Sequence, residues 1–385
     1  MEKNQRPAWQ VEPKANCWPT PEQELLLRAA LRDGEVEAWE EWRRRVRLED
    51  VDGASHRLLP LLYRRLTGQG IDHPDVRRYA GVYKLVWYRN QIIFRQLEEL
   101  LTLFQSQGID TLILKGVALI LLYYKDFGTR AMNDFDILVP TEQVQQAIQT
   151  LKTAGWSTEF PTSEWRLRLT HSMLFSDAEE HEFDLHWHVM EEACLPDDDR
   201  AFWQNAIPLI YNGIQTRALN PTDQLLHNLM HGLRWAEMPP VRWVADSVLL
   251  LEQVGSRVDW ERLYERAIRS RLTVPLYTGL SYLSRVFQSP IPSQVVTRFG
   301  AAAVSHREVA EFRVKARRRN PWRRLRFHWF NYKRLRPVVG ATPAVIGFAR
   351  YLQGRWGVER LWGLPIFIWA ELRRRKAASR PKLAD

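Results

Sequence analysis

The hydrophobic pattern of the sequence changes twice, and these changes constrain the fold more than any other feature. Before Ile109, apolar residues recur at spacings of three and four, as on one face of a helix. From Ile109 to about residue 200, short apolar runs of strand length are interspersed with helical segments, and after Pro221 the helical spacing returns. We therefore expect an α+β protein in which a small α/β core is flanked by helical regions.

The N-terminal region, residues 1–108, is predicted to be helical. In PTPEQELLLRAALRDG, Thr20 is a candidate N-cap, Pro21 stands at the first helical position and Gly34 follows the end. A longer helix is predicted in VYKLVWYRNQIIFRQLEELLTLF, and it should stop before Gly108.

Within residues 109–200 the predicted order is strand, helix, strand, helix, strand, strand. The strands are expected in DTLILK, DFDILV, HSMLFSD and HEFDLHWHV, and the helices in VALILLYYK and TEQVQQAIQTLKTAGW. Thr141 is the expected N-cap of the second helix and Gly155 its C-terminal stop. Residues 201–297 are then expected to form a C-terminal helical domain, and residues 298–385 a basic, aromatic-rich tail.

Composition excludes several classes of protein. With 45% hydrophobic residues and 17 Trp in 385 residues, the chain is expected to fold around a large core. Only Cys17 and Cys194 are present, too few for a disulfide framework and without the spacing of a cysteine zinc site. No apolar run approaches the roughly 20 residues of a membrane-spanning helix, and the N-terminus has no signal-peptide core. A cytoplasmic protein is therefore predicted.

Positive charge is concentrated at the C-terminal end. Residues 298–385 hold 22 Lys and Arg against 5 Asp and Glu, whereas the rest of the chain is net acidic. Arginines alternate there with aromatic residues, a pattern that suits an anionic membrane surface, the acidic remainder of the protein itself, or a nucleic acid. We rank these partners in that order and expect peripheral contact with the inner membrane surface.

The stretch RAMNDFDILVP contains the first candidate site residues. Because side chains alternate across a strand, Asp134 and Asp136 are expected on one face, with Phe135 and Ile137 on the other. Two carboxylates at this spacing can hold one divalent cation or span two ions. Solvated carboxylates at a strand end have the same pattern, so this pair alone does not establish a metal site.

The stretch HEFDLHWHV supplies a third carboxylate. Its strict alternation predicts one apolar face and one polar face, with Asp184, His186 and His188 on the polar side. Asp184 is therefore expected to face the same cleft as the aspartate pair. The two histidines could ligate a metal, but we favour a polar strand face for both.

Other polar residues lie on predicted C-terminal helices. His227 and His231 stand one turn apart, a spacing that zinc sites use, but no third ligand is evident. We expect one of them to line a cleft or to make a hydrogen bond in the core. Asp246 is one turn from Arg242 and is expected to form a structural pair with it.

These residues together resemble a known family. The segment LKG, then Arg130 ahead of NDFDILV, then a helix ending at Gly155 and a lone aspartate in FDLHW are similar in order to the nucleotidyltransferase superfamily of the polymerase-beta fold. More narrowly, they resemble a bacterial family described as uncharacterised nucleotidyltransferases. The resemblance continues into NPTDQLLHNLMHGLRW, VRWVADSVLLLE and VDWERLYERAIRS, and it covers roughly residues 20–290.

The resemblance implies a metal-dependent enzyme that transfers a nucleoside monophosphate from an NTP to a hydroxyl of an acceptor. The acceptor itself is left open by the sequence. Asp134, Asp136 and Asp184 would be the catalytic carboxylates and would hold two Mg²⁺ ions. Asp184 would also take the proton of the attacking hydroxyl.

Gly116 would match the phosphate-binding turn of the superfamily. Val117 follows it and offers no hydroxyl, so Lys115 and Arg130 are expected to contact the nucleotide phosphates instead. This weakened turn leaves an alternative from a different class: a catalytically degenerate nucleotidyltransferase fold that acts as an adaptor and binds a partner or a membrane surface through its basic tail. The three retained carboxylates favour the enzyme.

Overall fold

The computed structural model describes residues 7, 9, 17–195, 197–238, 240–318 and 320–365. A mixed sheet lies at its centre. The strands are β1 (Leu112–Leu114), β2 (Asp136–Leu138), β3 (Ser172–Ser176), β4 (Glu182–His186), β5 (Ile207–Tyr211) and β6 (Ile214–Ala218). They are arranged in the order β3-β4-β2-β1-β6-β5. The predicted α+β class and the predicted strands β1 to β4 are confirmed.

The helices before the sheet are α1 (Pro21–Leu31), α2 (Val36–Arg45), α3 (Gly53–His56), α4 (Leu59–Gly68) and α5 (Pro74–Ser106). The predicted start of α1 is confirmed: the Thr20 hydroxyl accepts from the backbone N–H of Gln23, whose side chain accepts from the N–H of Thr20. Gly108, with a φ of 66°, follows the end of α5 as predicted.

The remaining helices connect the strands or follow them. Within the sheet region lie α6 (Lys115–Leu119), continued as a π-helix (Ile120–Tyr124), then α7 (Val144–Thr153), α8 (Glu164–Leu167) and α9 (Arg200–Gln204). After the sheet come α10 (Pro221–Gly232), α11 (Arg242–Val254), α12 (Trp260–Ser270), α13 (Thr273–Phe287), α14 (Ser293–Ala301), α15 (His306–Lys315), α16 (Pro321–Val339) and α17 (Ala344–Trp356).

The sheet separates two hydrophobic cores. Ile137 and Leu185 belong to the core that includes the inner faces of α5 and α7. Leu138 belongs to the other core, with residues of α1, α4, α10 and α11. Because side chains alternate along a strand, Asp136 and Asp184 project toward the side on which α10 and α11 pack. The predicted alternation is confirmed within β2 and β4, whereas Asp134 and His188 lie outside these strands.

Strands β5 and β6 are not predicted by the sequence analysis. They form an antiparallel hairpin, and β6 pairs in parallel with β1, so the sheet extends past residue 200, where the helical domain was expected to begin. Asn212 and Gly213 form the turn, both with positive φ. This dipeptide, between the apolar run IPLIY and the alternating run IQTRA, is the sequence signal of a two-residue hairpin, and it indicates both strands.

The predicted start of α7 is wrong. Thr141 does not cap the helix; it begins a 3-10 turn (Thr141–Gln143), and its hydroxyl donates to the carbonyl oxygen of Trp187 at 3.2 Å. The hydroxyl is therefore used to connect this segment to the end of β4. Gly155 follows α7 with a φ of 90°, as predicted.

The described part of the basic tail packs on the rest of the protein. Lys315 Nζ lies 2.8 Å from a carboxylate oxygen of Glu192, and Arg355 Nη2 lies 2.9 Å from a carboxylate oxygen of Glu191. These contacts agree with packing against acidic side chains, while the membrane and nucleic-acid partners stay predictions. Among the helices of the described residues, none combines the length and apolar composition needed to cross a membrane. Residues 366–385 of the predicted tail lie outside the described residues.

Candidate active site

A cavity of about 280 Å³ lies between the sheet and the helical regions. Its wall includes the turn after β1, the segment that leads into β2, and the facing ends of α10 and α11. Polar residues dominate its lining, and they are Arg57, Lys115, Arg130, Asn133, Asp134, Asp136, His227, Asn228, His231, Arg242 and Asp246. Most of the residues predicted from the sequence therefore meet at one cavity.

Asp136, Asp184 and His186 form the acidic centre beside this cavity. Asp136 and Asp184 are register partners on the parallel strands β2 and β4, and His186 follows two residues later on β4. One potential ligand atom from each of the three lies within 4.8 Å of the others. Carboxylate oxygens suit hard divalent cations, and an imidazole nitrogen is accepted by transition-metal ions. This donor set fits a divalent ion such as Mg²⁺ or Mn²⁺.

One oxygen of the buried Asp136 carboxylate has two partners. Lys115 Nζ forms an ion pair with Oδ1, and His186 Nε2 lies 3.0 Å from the same atom. Burial by itself would raise the pKa of Asp136, but the Lys115 charge and the contact with His186 outweigh it and hold that pKa well below its usual range. Asp136 is therefore an ionised carboxylate at neutral pH.

The two histidines of the β4 segment separate into different environments. His186 joins the acidic centre, whereas His188 is bonded through Nδ1 to Asp199, which also accepts from the backbone N–H of Val189 at 2.9 Å. Both rings are buried. His186 lies on the polar face of β4 as predicted, whereas His188 lies beyond the end of this strand. Because both rings are buried, each needs a bonded partner.

Asp134 differs from the other two predicted carboxylates. It precedes β2, is exposed to the cavity, and lies outside the three-ligand group. Partial desolvation in the cavity wall and the negative charge of Asp136 raise the pKa of Asp134. Its role as a metal ligand stays a prediction.

The turn after β1 serves protein packing as well as the cavity. A Cβ at Gly116 would collide with Met132 Sδ and would lie 2.6 Å from Arg130 Nη1. A larger residue here would displace the side chains of Met132 and Arg130, which pack directly against Gly116. Lys115, just before it, turns its ammonium to Asp136. The predicted phosphate contacts of Lys115 and Gly116 stay predictions.

Arg130 is held by a residue that the sequence analysis paired differently. Its Nε and Nη2 donate to the two oxygens of Asp246 at 2.8 and 2.9 Å, and both residues are buried. The Tyr124 hydroxyl donates to the same carboxylate at 2.8 Å. The predicted pair of Asp246 with Arg242 is wrong, because Arg242 donates to the carbonyl oxygen of Ala131. Arg130 therefore stabilises the cavity wall, and its guanidinium is already bonded to Asp246.

Two arginines that are not among the predicted site residues, Arg57 and Arg242, bring positive charge to the cavity. Arg57 follows α3 and Arg242 begins α11, and both are half-buried. Burial and the charge of Arg130 lower the pKa of Arg242 to about 9. Burial also lowers the pKa of Arg57, although Asp134 opposes this shift. An anion bound beside these arginines would replace their lost hydration and relieve their mutual repulsion.

Helix α10 supplies another wall of the cavity. His227 and His231 both line it, with ring centroids 6.1 Å apart, which confirms the cleft-lining prediction. Burial and the nearby Lys115 charge lower the pKa of His227 to about 3, so its ring is neutral at physiological pH. Asn228 Nδ2 is buried and has no hydrogen-bond partner within the described chain. This wall therefore offers neutral polar groups to a ligand.

Comparison with solved structures finds nucleotidyltransferases. The lincosamide antibiotic adenylyltransferase LnuA with lincomycin bound is 19% identical, with a TM-score of 0.26, over 34% of this chain and 83% of that chain. ANT(2″)-Ia in complex with adenylyl-2″-tobramycin is 13% identical, with a TM-score of 0.32, over 46% and 96%. An antigenic nucleotidyltransferase-like protein from Paracoccidioides brasiliensis is 14% identical, with a TM-score of 0.33, over 54% and 95%. At these scores we draw nothing about substrate from them.

Comparison with curated proteins finds no significant match to this chain. A sequence model of one protein family does match, over residues 53–288, which is more than half of the chain and includes the sheet, the acidic centre and the cavity. Its description is "Uncharacterised nucleotidyltransferase". The chain therefore belongs to this nucleotidyltransferase family, as the sequence resemblance predicts.

Proposed function

We propose that this protein transfers a nucleoside monophosphate from an NTP to a hydroxyl group of an acceptor, with a divalent metal ion bound by Asp136 and Asp184. The observation that carries the proposal is the strand register, which holds these two carboxylates and His186 together beside a polar cavity. When bound there, a divalent ion would neutralise negative charge on the reacting phosphate oxygens.

We infer where the triphosphate would bind from the charged side chains that line the cavity. Lys115 and Arg130 already have carboxylate partners, whereas Arg57 and Arg242 line the cavity without an ion-pair partner among the described residues. These two side chains should contribute most to the binding of an anion, because a guanidinium group can donate two hydrogen bonds to phosphate oxygens. We assign the β- and γ-phosphates to these two arginines.

The chemistry is a single displacement at the α-phosphorus. The acceptor oxygen forms a bond to this phosphorus, the bond from the phosphorus to the bridging oxygen breaks, and pyrophosphate leaves. The hydroxyl proton passes to the Asp184 carboxylate, which is only half-buried and lies beside Asp136 on the neighbouring strand. Asp136 remains ionised throughout because Lys115 stabilises its charge.

Calorimetric titration of an NTP into the full chain, with and without Mg²⁺, tests this proposal. Wild-type protein should bind the NTP more tightly with Mg²⁺, and Asp184→Asn should lose that increment. The matched control is Asp197→Asn, which changes an exposed carboxylate elsewhere and should behave as wild type. A metal increment that survives in Asp184→Asn would remove the site, and absence of any NTP binding by the wild type would favour the adaptor.

The arginine assignment has its own test in the same titration. Arg57→Met and Arg242→Met should weaken NTP binding by about tenfold each, the effect of about 1.4 kcal/mol expected for one charge-assisted contact. Binding of the corresponding nucleoside monophosphate should change much less, since it lacks the β- and γ-phosphates. Equal losses for both nucleotides would contradict the assignment.

A further inference from the structure

Lys115 holds an unusual position beside the acidic centre. Its backbone has a φ of 47°, in the left-handed region that residues other than glycine seldom adopt. Strained backbone of this kind persists only where the surrounding structure maintains it, and it is concentrated at functional sites. The strain here falls on the residue whose side chain meets Asp136, and not on the adjacent Gly116. The fold therefore maintains a strained lysine at this point.

The contact of Lys115 occupies the atom that a second cation would need. A carboxylate shared by two metal ions gives one oxygen to each ion. In Asp136, Oδ1 is bonded to Lys115 Nζ and lies 3.0 Å from His186 Nε2, which leaves Oδ2 as the oxygen without these partners. The Asp136 carboxylate therefore has one oxygen, Oδ2, with which to bind a metal ion.

The other potential metal ligands also indicate a single metal ion. Among the described residues, a single group of three or more potential metal ligands is present, and it consists of Asp136, Asp184 and His186. Asp134, which would be needed to complete a second site, lies outside that group. A second ion would therefore have fewer than three such ligands from the described residues, next to an ammonium of like charge.

We propose that the Lys115 ammonium takes the place of the second cation, so that the centre binds one divalent ion and not the two that the resemblance implies. This inference rests on the proposed metal-dependent function. The ammonium neutralises the Asp136 carboxylate, and its side chain, 22% exposed at the cavity wall, is accessible to an oxygen of a bound nucleotide. Lys115 is thus a positioning residue for Asp136 and a built-in positive charge in the cavity.

Counting bound Mn²⁺ tests the inference without measuring activity. The full chain is titrated with Mn²⁺, and the electron paramagnetic resonance signal of the free ion gives the number bound. Wild type and Lys115→Arg should each bind one ion per chain. Lys115→Met should bind two, or one ion on the order of tenfold more tightly, because a like charge has been removed from the site. Lys84→Met, an exposed lysine on α5, should behave as wild type.

Each other outcome has a defined meaning. Two ions bound by the wild type would overturn the inference and leave the proposed function intact. No ion bound by the wild type would overturn the inference and the metal dependence of the proposed function together. One ion of unchanged affinity in Lys115→Met would show that Lys115 does not occupy a cation position. Thermal unfolding of each variant verifies that the counts come from folded protein, and Lys115→Arg keeps the charge if the methionine variant fails to fold.

Discussion

Asp136 and Asp184 are register partners on adjacent parallel strands, and the backbone N–H of Asp184 donates to the carbonyl oxygen of Phe135 at 2.9 Å. The spacing of the two carboxylates is therefore fixed by the sheet. A slip of one residue would bring the apolar Phe183 or Leu185 side chain to the face of Asp136 and expose a buried position. The sheet thus maintains the acidic centre at the cost of a buried charge, which Lys115 compensates.

The two carboxylates should differ in their effect on stability. Asp136→Ala leaves the Lys115 ammonium without its partner in a mostly buried place, so the free energy of unfolding should fall by about 3 kcal/mol. Asp184→Asn should lower it by less than about 1 kcal/mol, since Asp184 is only half-buried. Urea unfolding measures both values. Equal destabilisation by the two substitutions would contradict the assigned role of the Lys115 pair.

The buried pair of Arg130 and Asp246 should show strong coupling. Asp246→Ala leaves a buried guanidinium unpaired and should cost about 3 kcal/mol of unfolding free energy. Adding Arg130→Met should recover most of this loss, because neither charge of this pair then remains buried. A double-mutant cycle by urea unfolding gives the coupling energy. A coupling near zero would mean that the two residues stabilise the wall independently.

Substitution of Gly116 should affect the cavity wall and not only the chain entropy. Gly116→Ala places a methyl group against Met132 and Arg130, so we expect a loss of about 2 kcal/mol through overpacking. Gly81→Ala is the control: this exposed position on α5 has no atom within 4 Å of a built Cβ, and it should be stabilised by up to about 1 kcal/mol. Thermal unfolding compares the two. A neutral Gly116→Ala would contradict the packing role.

His227 should make stability depend on pH. Its pKa in the folded protein is about 3, below the usual value near 6.5. As the pH falls below about 6.5, the unfolded chain takes up a proton here before the folded chain does, so the free energy of unfolding decreases by up to about 1.4 kcal/mol per pH unit. His227→Gln should reduce this slope between pH 6 and 4. The exposed His306, changed to Gln, serves as the control, and an undiminished slope in His227→Gln would contradict the buried neutral ring.

The sequence predicts those features that depend on local patterns. The capping box at Thr20 marks the start of α1, and strict alternation places Asp184 opposite the apolar face of β4. The hairpin at Asn212 also carries a local signal, although β5 and β6 lie outside residues 109–200, the region with predicted strands. Thr141 has the side chain of an N-cap, yet a carbonyl oxygen of β4 competes for its hydroxyl. The tertiary contact of Thr141 with Trp187 therefore prevails over its local preference to cap a helix.

Features that depend on distant residues could not be predicted. The bond of Asp246 to Arg130 joins positions 116 residues apart, so no spacing in the sequence indicates it. Arg57 and Arg242 line the same cavity although they lie 185 residues apart; Arg57 is in no motif, and the motif that contains Arg242 indicates only a pair with Asp246. Pairing of Lys115 with Asp136 depends on the register of β1 and β2, which the apolar runs do not specify. These contacts are what distinguish this cavity from a generic acidic cleft.

Transfer of a nucleoside monophosphate can be followed with two phosphorus labels. The full chain is incubated with Mg²⁺, a metabolite extract as the source of acceptor, and each common NTP labelled at either the α- or the γ-phosphorus. Nucleotidyl transfer predicts that the α-label passes to an acceptor while the γ-label appears in pyrophosphate, and that Asp184→Asn abolishes both. Transfer of the γ-label to an acceptor, or α-label transfer that persists in Asp184→Asn, would contradict it.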